Sequence, residues 1–551
     1  MSAPRKRSEA FLRASQHWAN SKKLRPNPEQ TEKASIKENE PDVEILSSDE
    51  ENAPIKESEG KIRRCSPIRL LHNPSYEDEE EQKVNRDTIM LSNLIGTKDL
   101  HETFQFNFSV DLPMFLNYFH PEFSRQKKKI TFITGSTLLD PQLPETELIK
   151  KNFNISELTA DIPKRFGTHH TKMMVNFFDD DTLEIVIMTF NLRKIDFVGL
   201  TQALWRSGRL PRQKPDSKKM VMGARFKRDL KNYIKKYNKQ ALIDLAERIE
   251  LFDFSSVKVE LMASAPGKYD LSNLDDETEI YGYGKLYQIL KRNNSLVDNS
   301  KAEKLYNFLA QVTSISYPIK VEKYNTASIF THLLAPLVFC PNKDEFKILS
   351  PGSTSTKKHQ QDNYYFPQLV YPTVKEVAGS NVGFGAGQAV HLKYASTIAH
   401  KNQYKQNIEP YLRKWNSSKE PLETGRESVV PHCKYFACDN GDNWSTIKWI
   451  LMGSHNLSKQ AWGAPAPKDL SSSVYEVSSY ELGVVVIPEK GLRMVPSYGT
   501  DFIEEENTLP IRLPFKLPSS KYSEGDRPWS SWMSYGDLED RFGETYNLGN
   551  E

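Results

Sequence analysis

Apolar residues are sparse and unpatterned over the first eighty or so positions, and then fall into short runs of two kinds. Lys129-Ile130-Thr131-Phe132-Ile133-Thr134-Gly135, Leu183-Glu184-Ile185-Val186-Ile187-Met188-Thr189, Val257-Lys258-Val259-Glu260-Leu261-Met262, Thr446-Ile447-Lys448-Trp449-Ile450-Leu451-Met452 and Leu482-Gly483-Val484-Val485-Val486-Ile487 have strand length and strand composition. The shorter Phe346-Lys347-Ile348-Leu349 reads the same way. Elsewhere apolar residues return every three or four positions, as with Phe226, Leu230 and Ile234 in a basic helix over 225–237. Helices are also expected over 87–94, 241–249, 283–291 and 409–415, the last with Pro410 tolerated in its first turn. Strands alternate with helices in both halves, which predicts an α/β fold with layered mixed sheets. Pro266-Gly267 marks the break between two domains, 84–266 and 267–551. Beyond about residue 495 the pattern fades into Pro, Ser and Trp.

Composition changes this picture mainly at the N-terminus. The chain has 551 residues and a hydrophobic fraction of 38%. That length suits two or three domains. Residues 1–83 are rich in Lys, Glu, Ser, Asn and Pro, and cannot bury enough surface to offset their ordering entropy, so a disordered tail is expected. A net charge of +2 does not by itself announce nucleic acid. Four scattered cysteines, Cys65, Cys340, Cys433 and Cys438, form no disulfide framework and suit a reducing compartment. No apolar run approaches the roughly 20 residues of a membrane span, and the charged start is no secretory signal. The glycine-rich stretch 379–387 lacks the spacing of a phosphate loop.

The candidate chemistry is a duplication. Gly167-Thr168-His169-His170-Thr171-Lys172-Met173-Met174 places an imidazole and an ammonium two residues apart at the start of an extended segment, facing one way. Pro431-His432-Cys433-Lys434 repeats it. Asn191 lies 21 residues beyond His170, and Asn456 lies 24 beyond His432, each after the next strand. Two half-sites meeting across a domain interface are implied. Two lysines and two amides suit the non-bridging oxygens of a phosphodiester. No Asp/Glu cluster of metal-ligand character accompanies them, so metal-free chemistry without a cofactor is expected. One imidazole attacks phosphorus and forms a phosphohistidine, while the other donates and then takes a proton. The spacing does not say which is which.

Several segments sharpen this. They are Phe166 through Met174, Thr201-Gln202 before Trp205, Tyr371-Pro372-Thr373-Val374, Pro431-His432-Cys433-Lys434, Asn456-Leu457-Ser458-Lys459 with Ala461-Trp462-Gly463, and Ser479-Tyr480-Glu481-Leu482-Gly483. Together the chain resembles the tyrosyl-DNA phosphodiesterases of the phospholipase D superfamily over roughly residues 84–551. The resemblance implies two similar α-β-α sandwich domains related by a pseudo-two-fold axis. It implies removal of a topoisomerase I tyrosine or peptide remnant from a DNA 3′-phosphate, in the nucleus. His170 becomes the nucleophile and His432 the general acid and then base. Lys172, Lys434, Asn191 and Asn456 form the phosphate cage. Glu481 is expected behind His170 and Gln202 behind His432, since a carboxylate best supports the cationic phosphohistidine. Phe166 corresponds to a base-stacking aromatic, Ser314 and Thr313 to DNA-phosphate ligands, and Ser454 is placed with the cage. The wider superfamily carries an Asp a few residues after each lysine. Phe177 replaces it in the first half, and Asp439, at that spacing in the second, reads as part of a turn.

Plainer readings stand beside these. His169 reads as a satisfied structural histidine. His432, Cys433 and Cys438 do not make a recognisable zinc spacing. In the tail, Val43-Glu44-Ile45-Leu46 followed by acids resembles a SUMO-interacting motif, beside the alternative of a chance apolar patch. Pro4-Arg5-Lys6-Arg7 and Lys61-Ile62-Arg63-Arg64 have the composition of import signals. A general nuclease, a lipid phosphodiesterase or an inactive DNA-binding scaffold are the alternative functions. A monomer is expected, since one chain holds both half-sites.

Overall fold

A computed structural model describes residues 64–548, apart from 77–78, 141, 143, 164–165, 216–219, 273, 298–303, 323–324, 340–355 and 465–472. The alternation of side chains along its central strands sets the layers. In Met173–Phe178, Met174 faces a cluster with Leu94, Phe115, Phe132, Val186 and Met188. Met173, Val175 and Phe177 face the opposite way, into a larger core with Ile185, Ile187, Phe226 and Leu230. Such strands are covered on both faces, which is why they read as continuous apolar runs.

Two sheets repeat one plan. The first is seven-stranded: β1 (Arg69–Leu70), β2 (Leu100–Phe106), β3 (Lys129–Thr134), β4 (Asn154–Thr159), β5 (Met173–Phe178), β6 (Leu183–Met188) and β7 (Ala203–Arg206), in spatial order β1-β7-β6-β5-β2-β3-β4. In the second, β8 (Glu260–Ser264), β9 (Tyr306–Gln311), β10 (Tyr365–Val370), β11 (Leu412–Arg413), β12 (Tyr435–Asp439), β13 (Ile447–Gly453) and β14 (Glu481–Val486) lie in order β8-β14-β13-β12-β9-β10-β11. Each strand of the first sheet thus has a counterpart seven places on. Neighbours are antiparallel except at β2/β3/β4 and β9/β10/β11, which are parallel in both sheets. Two further strands, β15 (Arg493–Ser497) and β16 (Thr508–Arg512), extend the second sheet to nine.

This plan moves both expected boundaries. The fold already includes residues from Arg64 on. Ile68 and Leu70 are wholly buried, and β1 pairs with β7, so the tail does not extend to residue 83. The other boundary lies before β8, not at Pro266-Gly267. Glu260–Ser264 pairs with β14 in register Ser264 to Glu481, taking in the second sheet the place that β1 takes in the first. Gly267–Asp270 forms a further antiparallel pair with Val474–Val477. A strand pattern states that a segment is extended and apolar; it does not name the sheet.

Three helices bridge the halves: α1 (Val221–Lys235), α2 (Gln240–Glu250) and α3 (Tyr283–Arg292). The apolar stripe of α1 buries Phe226, Leu230, Tyr233 and Ile234 in the larger core. Its Asp229 pairs with Lys285 of α3 at 2.6 Å, and Arg292 of α3 pairs with Glu260 of β8. These buried charges are paired with one another, so removing one partner costs more than the pair contributes. The helix expected over 409–415 is instead a short 3-10 turn, Glu409–Tyr411, running into β11. The helix expected over 87–94 is confined to Leu91–Ile95. The region past 495 contributes β15, β16 and the fully buried Trp529. The expected strand 346–349, the SUMO-like motif and residues 4–7 lie outside the described residues, as do 61–63 of the second basic cluster.

Candidate active site

Each His-Lys pair leads into the same place in its sheet. Lys172 immediately precedes β5 and Lys434 immediately precedes β12, the corresponding strand. Asn191 and Asn456 follow the ends of β6 and β13, again corresponding strands. The difference between the 21- and 24-residue spacings lies in the turn, 179–182 in one half and the longer 440–446 in the other. Antiparallel hairpins of this kind return each Asn beside its own His-Lys pair.

The halves are then stitched reciprocally. The His170 backbone N–H donates to the Tyr480 carbonyl at 2.9 Å, and the His170 ring Nδ1 meets Glu481 Oε2 at 2.8 Å. The His432 N–H donates to the Thr201 carbonyl at 2.9 Å, and its ring Nδ1 lies 3.2 and 3.3 Å from the amide atoms of Gln202. Each histidine is therefore held by two consecutive residues of the opposite half. Short parallel pairing of Leu200–Thr201 with Val430–Pro431 fixes the second junction, and a bridge between His169 and Tyr480 fixes the first. Gly167 permits the close approach at the first: a Cβ there would fall 2.2 Å from the Ser478 carbonyl oxygen. With Nδ1 of each ring occupied, Nε2 is the nitrogen left for chemistry.

The lysines are arranged alike. Lys172 Nζ donates to the His170 carbonyl at 2.9 Å, and Lys434 Nζ donates to the His432 carbonyl. Both are buried and repel one another across the site. Burial, then Lys434, lowers Lys172 to about 7, and burial lowers Lys434 to about 8. Burial also lowers His170, though Glu481 opposes it, and lowers His432 well below its usual value, with Lys434 and Lys172 adding to the effect. Burial pushes Glu481 up, but the His170 charge and hydrogen bonds from His170 and Ser454 hold it below the usual carboxylate range. The free site is thus short of negative charge. An anion between the lysines would restore their protons and ease protonation of an imidazole.

The Asn456 side chain is turned by backbone: its Oδ1 accepts from the N–H groups of Thr313 at 3.1 Å and Ser314 at 2.9 Å, leaving Nδ2 for the site. Phe166, four residues before His170, has 71% of its surface exposed, unlike almost every other described phenylalanine. This constellation has counterparts in known proteins. The tyrosyl-DNA phosphodiesterase family model matches residues 67–523. The chain belongs to the tyrosyl-DNA phosphodiesterase family. It is 26% identical to a probable tyrosyl-DNA phosphodiesterase of Schizosaccharomyces pombe, over 85% of this chain and 95% of that one. It is 24% identical to tyrosyl-DNA phosphodiesterase 1 of Saccharomyces cerevisiae, over 94% and 95%. The crystal structure of yeast tyrosyl-DNA phosphodiesterase superposes with a TM-score of 0.65 at 20% identity, covering 84% of this chain and 98% of that one. That likeness extends to the fold of two mixed-sheet α/β domains.

Within this family frame some expected residues change place. Ser454 does not join the cage. Its hydroxyl donates to Glu481 at 2.5 Å and accepts from the Leu482 N–H at 3.0 Å, so its proton is committed to orienting the carboxylate. Ser314 reaches the site through its backbone N–H on Asn456. His169 is structural, its Nδ1 on the Asn107 carbonyl and its Nε2 on the Tyr237 hydroxyl, both at 3.0 Å; burial lowers it to about 3. Asp439 accepts from the Asn307 backbone and amide at 2.7 Å and from the Gly441 N–H at 3.1 Å, as a turn-stabilising carboxylate does. Two site residues have no motif to announce them. Phe108 packs edge-on against His170 with ring centroids 5.4 Å apart, and lies 5.6 Å from Lys172 Nζ. Asp196 lies 3.3 Å from His432 Nδ1. In sequence it sits among Arg193, Lys194 and Ile195, a pattern that reads as the solvated start of a helix.

Proposed function

We propose that this enzyme, a phosphodiester hydrolase of its family, releases a tyrosine, such as that of topoisomerase I, from a DNA 3′-phosphate through a covalent phosphohistidine. DNA–protein adducts are the substrate class that the family implies. His170 Nε2 attacks phosphorus, the bond from phosphorus to the tyrosyl oxygen breaks, and the His432 proton passes to that oxygen. Water then attacks phosphorus, giving its proton to His432. The P–N bond breaks with its electron pair returning to His170, and a DNA 3′-phosphate leaves. Lys172 and Lys434 hold the non-bridging oxygens as their charge redistributes, aided by the Asn191 and Asn456 side chains. Glu481 supports the charge that His170 gains when phosphorylated, which favours His170 as the attacking ring. Phe166 offers a stacking face to a DNA base without reading its identity.

The observation that carries this reading is the reciprocal holding of two imidazoles by opposite halves, each beside its own buried lysine. Incubation with a 3′-phosphotyrosyl oligonucleotide in EDTA tests it. Release of tyrosine and a 3′-phosphate is expected. No release, with turnover of a phosphatidylcholine substrate instead, would overturn it. A DNA substrate supports a nuclear site of action. Deleting Val43, Glu44, Ile45 and Leu46 is expected to abolish SUMO pull-down.

A further inference from the structure

Gln202 alone is a poor guide for an imidazole. An amide can present either its oxygen or its NH2 group to His432 Nδ1, and the two choices favour opposite tautomers. The surroundings of Gln202 remove that freedom. Its Nε2 donates to Asp196 Oδ1 at 3.0 Å, and its Oε1 accepts from the Thr189 hydroxyl at 2.8 Å. Asp196 Oδ1 also accepts from the Asn191 backbone N–H at 2.9 Å and from Asn191 Nδ2 at 3.2 Å. The same oxygen lies 3.3 Å from His432 Nδ1. One carboxylate, 2% exposed, thus gathers the cage amide of the first half and the imidazole of the second.

We propose that Asp196 is the positioning residue of the general acid/base: it fixes the Nδ1–H tautomer of His432 and the direction of the Asn191 amide. Two acceptors face that side of the ring, the Asp196 carboxylate and the Gln202 oxygen, both at 3.3 Å, while the one donor there, the Gln202 NH2 at 3.2 Å, is drawn to Asp196, so the hydrogen sits on Nδ1 and Nε2 is presented to the site. Asp196 also leaves Asn191 with one amide hydrogen and a buried Oδ1 that has no hydrogen-bond partner among the described residues, so the first-half amide is aligned by a side chain where Asn456 is aligned by backbone. Burial raises the Asp196 carboxyl to about 6, opposed by the Asn191 N–H, Arg193, Lys172 and Lys434, so at neutral pH it is chiefly the carboxylate. The proposal rests on the roles given to His170 and His432 above.

Asp196→Asn keeps the size of the side chain and removes the charge that orients Gln202. Its expected signature is a DNA–His170 adduct that accumulates at steady state, with overall turnover falling about 10- to 100-fold, because water activation needs His432 more than departure of a phenolate does. Gln202→Leu leaves Asp196 in place and is expected to accumulate less adduct. Wild-type adduct levels in Asp196→Asn, or more adduct in Gln202→Leu than in Asp196→Asn, overturn the proposal. An Asp196→Asn enzyme that is slower without adduct marks a merely structural carboxylate and does so too. Nitrogen-15 spectra of labelled histidine separate this from the activity itself. His432 is expected as the Nδ1–H tautomer in wild type and as a mixture in Asp196→Asn. An unchanged tautomer refutes the role of Asp196, whereas wild type that releases no tyrosine refutes the proposed function.

Discussion

Behind His170 stands Glu481, a carboxylate at 2.8 Å with Ser454 donating to it. Behind His432 stand the Gln202 amide and, at 3.3 Å, Asp196, whose charge is shared with Asn191 and Gln202. The lysines, the strands and the interdomain backbone bonds of the two half-sites correspond almost residue for residue. The differences lie in what touches Nδ1 and in what turns the two asparagines, a side chain for Asn191 and backbone for Asn456. A full negative charge held close is most useful to a ring that is cationic for as long as it is phosphorylated. A diluted one suits a ring that must both give and take a proton. In the proposed mechanism the repeated residues form the cage, and the few polar residues that differ behind it give the two histidines separate roles.

The comparison breaks most sharply at the histidines. His170→Ala is expected to abolish turnover by several orders of magnitude and to form no adduct, while His432→Asn still attacks and traps DNA on His170; denaturing gels with labelled oligonucleotide distinguish them. Adduct on another residue would reverse the roles. Next come the lysines, whose environments are alike. Lys172→Ala and Lys434→Ala are each expected to lower kcat/KM by roughly 100- to 1,000-fold, and a large disparity would show that the half-sites share the phosphate unequally. Glu481→Gln is expected to slow tyrosine release about 10- to 100-fold without adduct accumulation in single-turnover assays, the opposite partition from Asp196→Asn.

Smaller effects sharpen the electrostatics. A lysine binds an anion only while protonated, and Lys172 and Lys434 titrate near 7 and 8 in the free site. Substrate affinity is therefore expected to be full below that range and to fall as pH rises through it, with the fall shifted upward at saturating substrate; binding of oligonucleotide followed by fluorescence anisotropy checks the sign. Phe166→Ala is expected to weaken DNA binding by about 1–3 kcal/mol with little change in kcat, since stacking acts on the bound DNA and not on phosphorus.

How much of this was legible before folding follows from what each signal encodes. The apolar runs at 129–134, 183–188 and 482–486 show where strands lie, because a strand buried on both faces must be apolar throughout. They could not say that Glu260–Ser264 belongs to the second sheet, since pairing is decided by partners far away in the chain. Likewise Leu412–Arg413 follows helix-like residues but is drawn into parallel pairing with β10. The His170, Lys172, Asn191 and His432, Lys434, Asn456 sets were visible because local hairpins bring each trio together. Pairing each imidazole with its partner from the opposite half was visible only through the family resemblance.

By itself, then, the sequence determined the repeated strands and the two His-Lys-Asn trios, for these depend on residues close together along the chain. The tertiary structure alone decided which sheet β8 joins, that Ser454 serves Glu481 in place of phosphate, and that Asp196 reaches His432. A carboxylate in the first turn of the short helix Lys194–Val198 has no local mark of burial. Its role arises when a second domain closes over it, and in that low-dielectric space one displaced charge governs a tautomer.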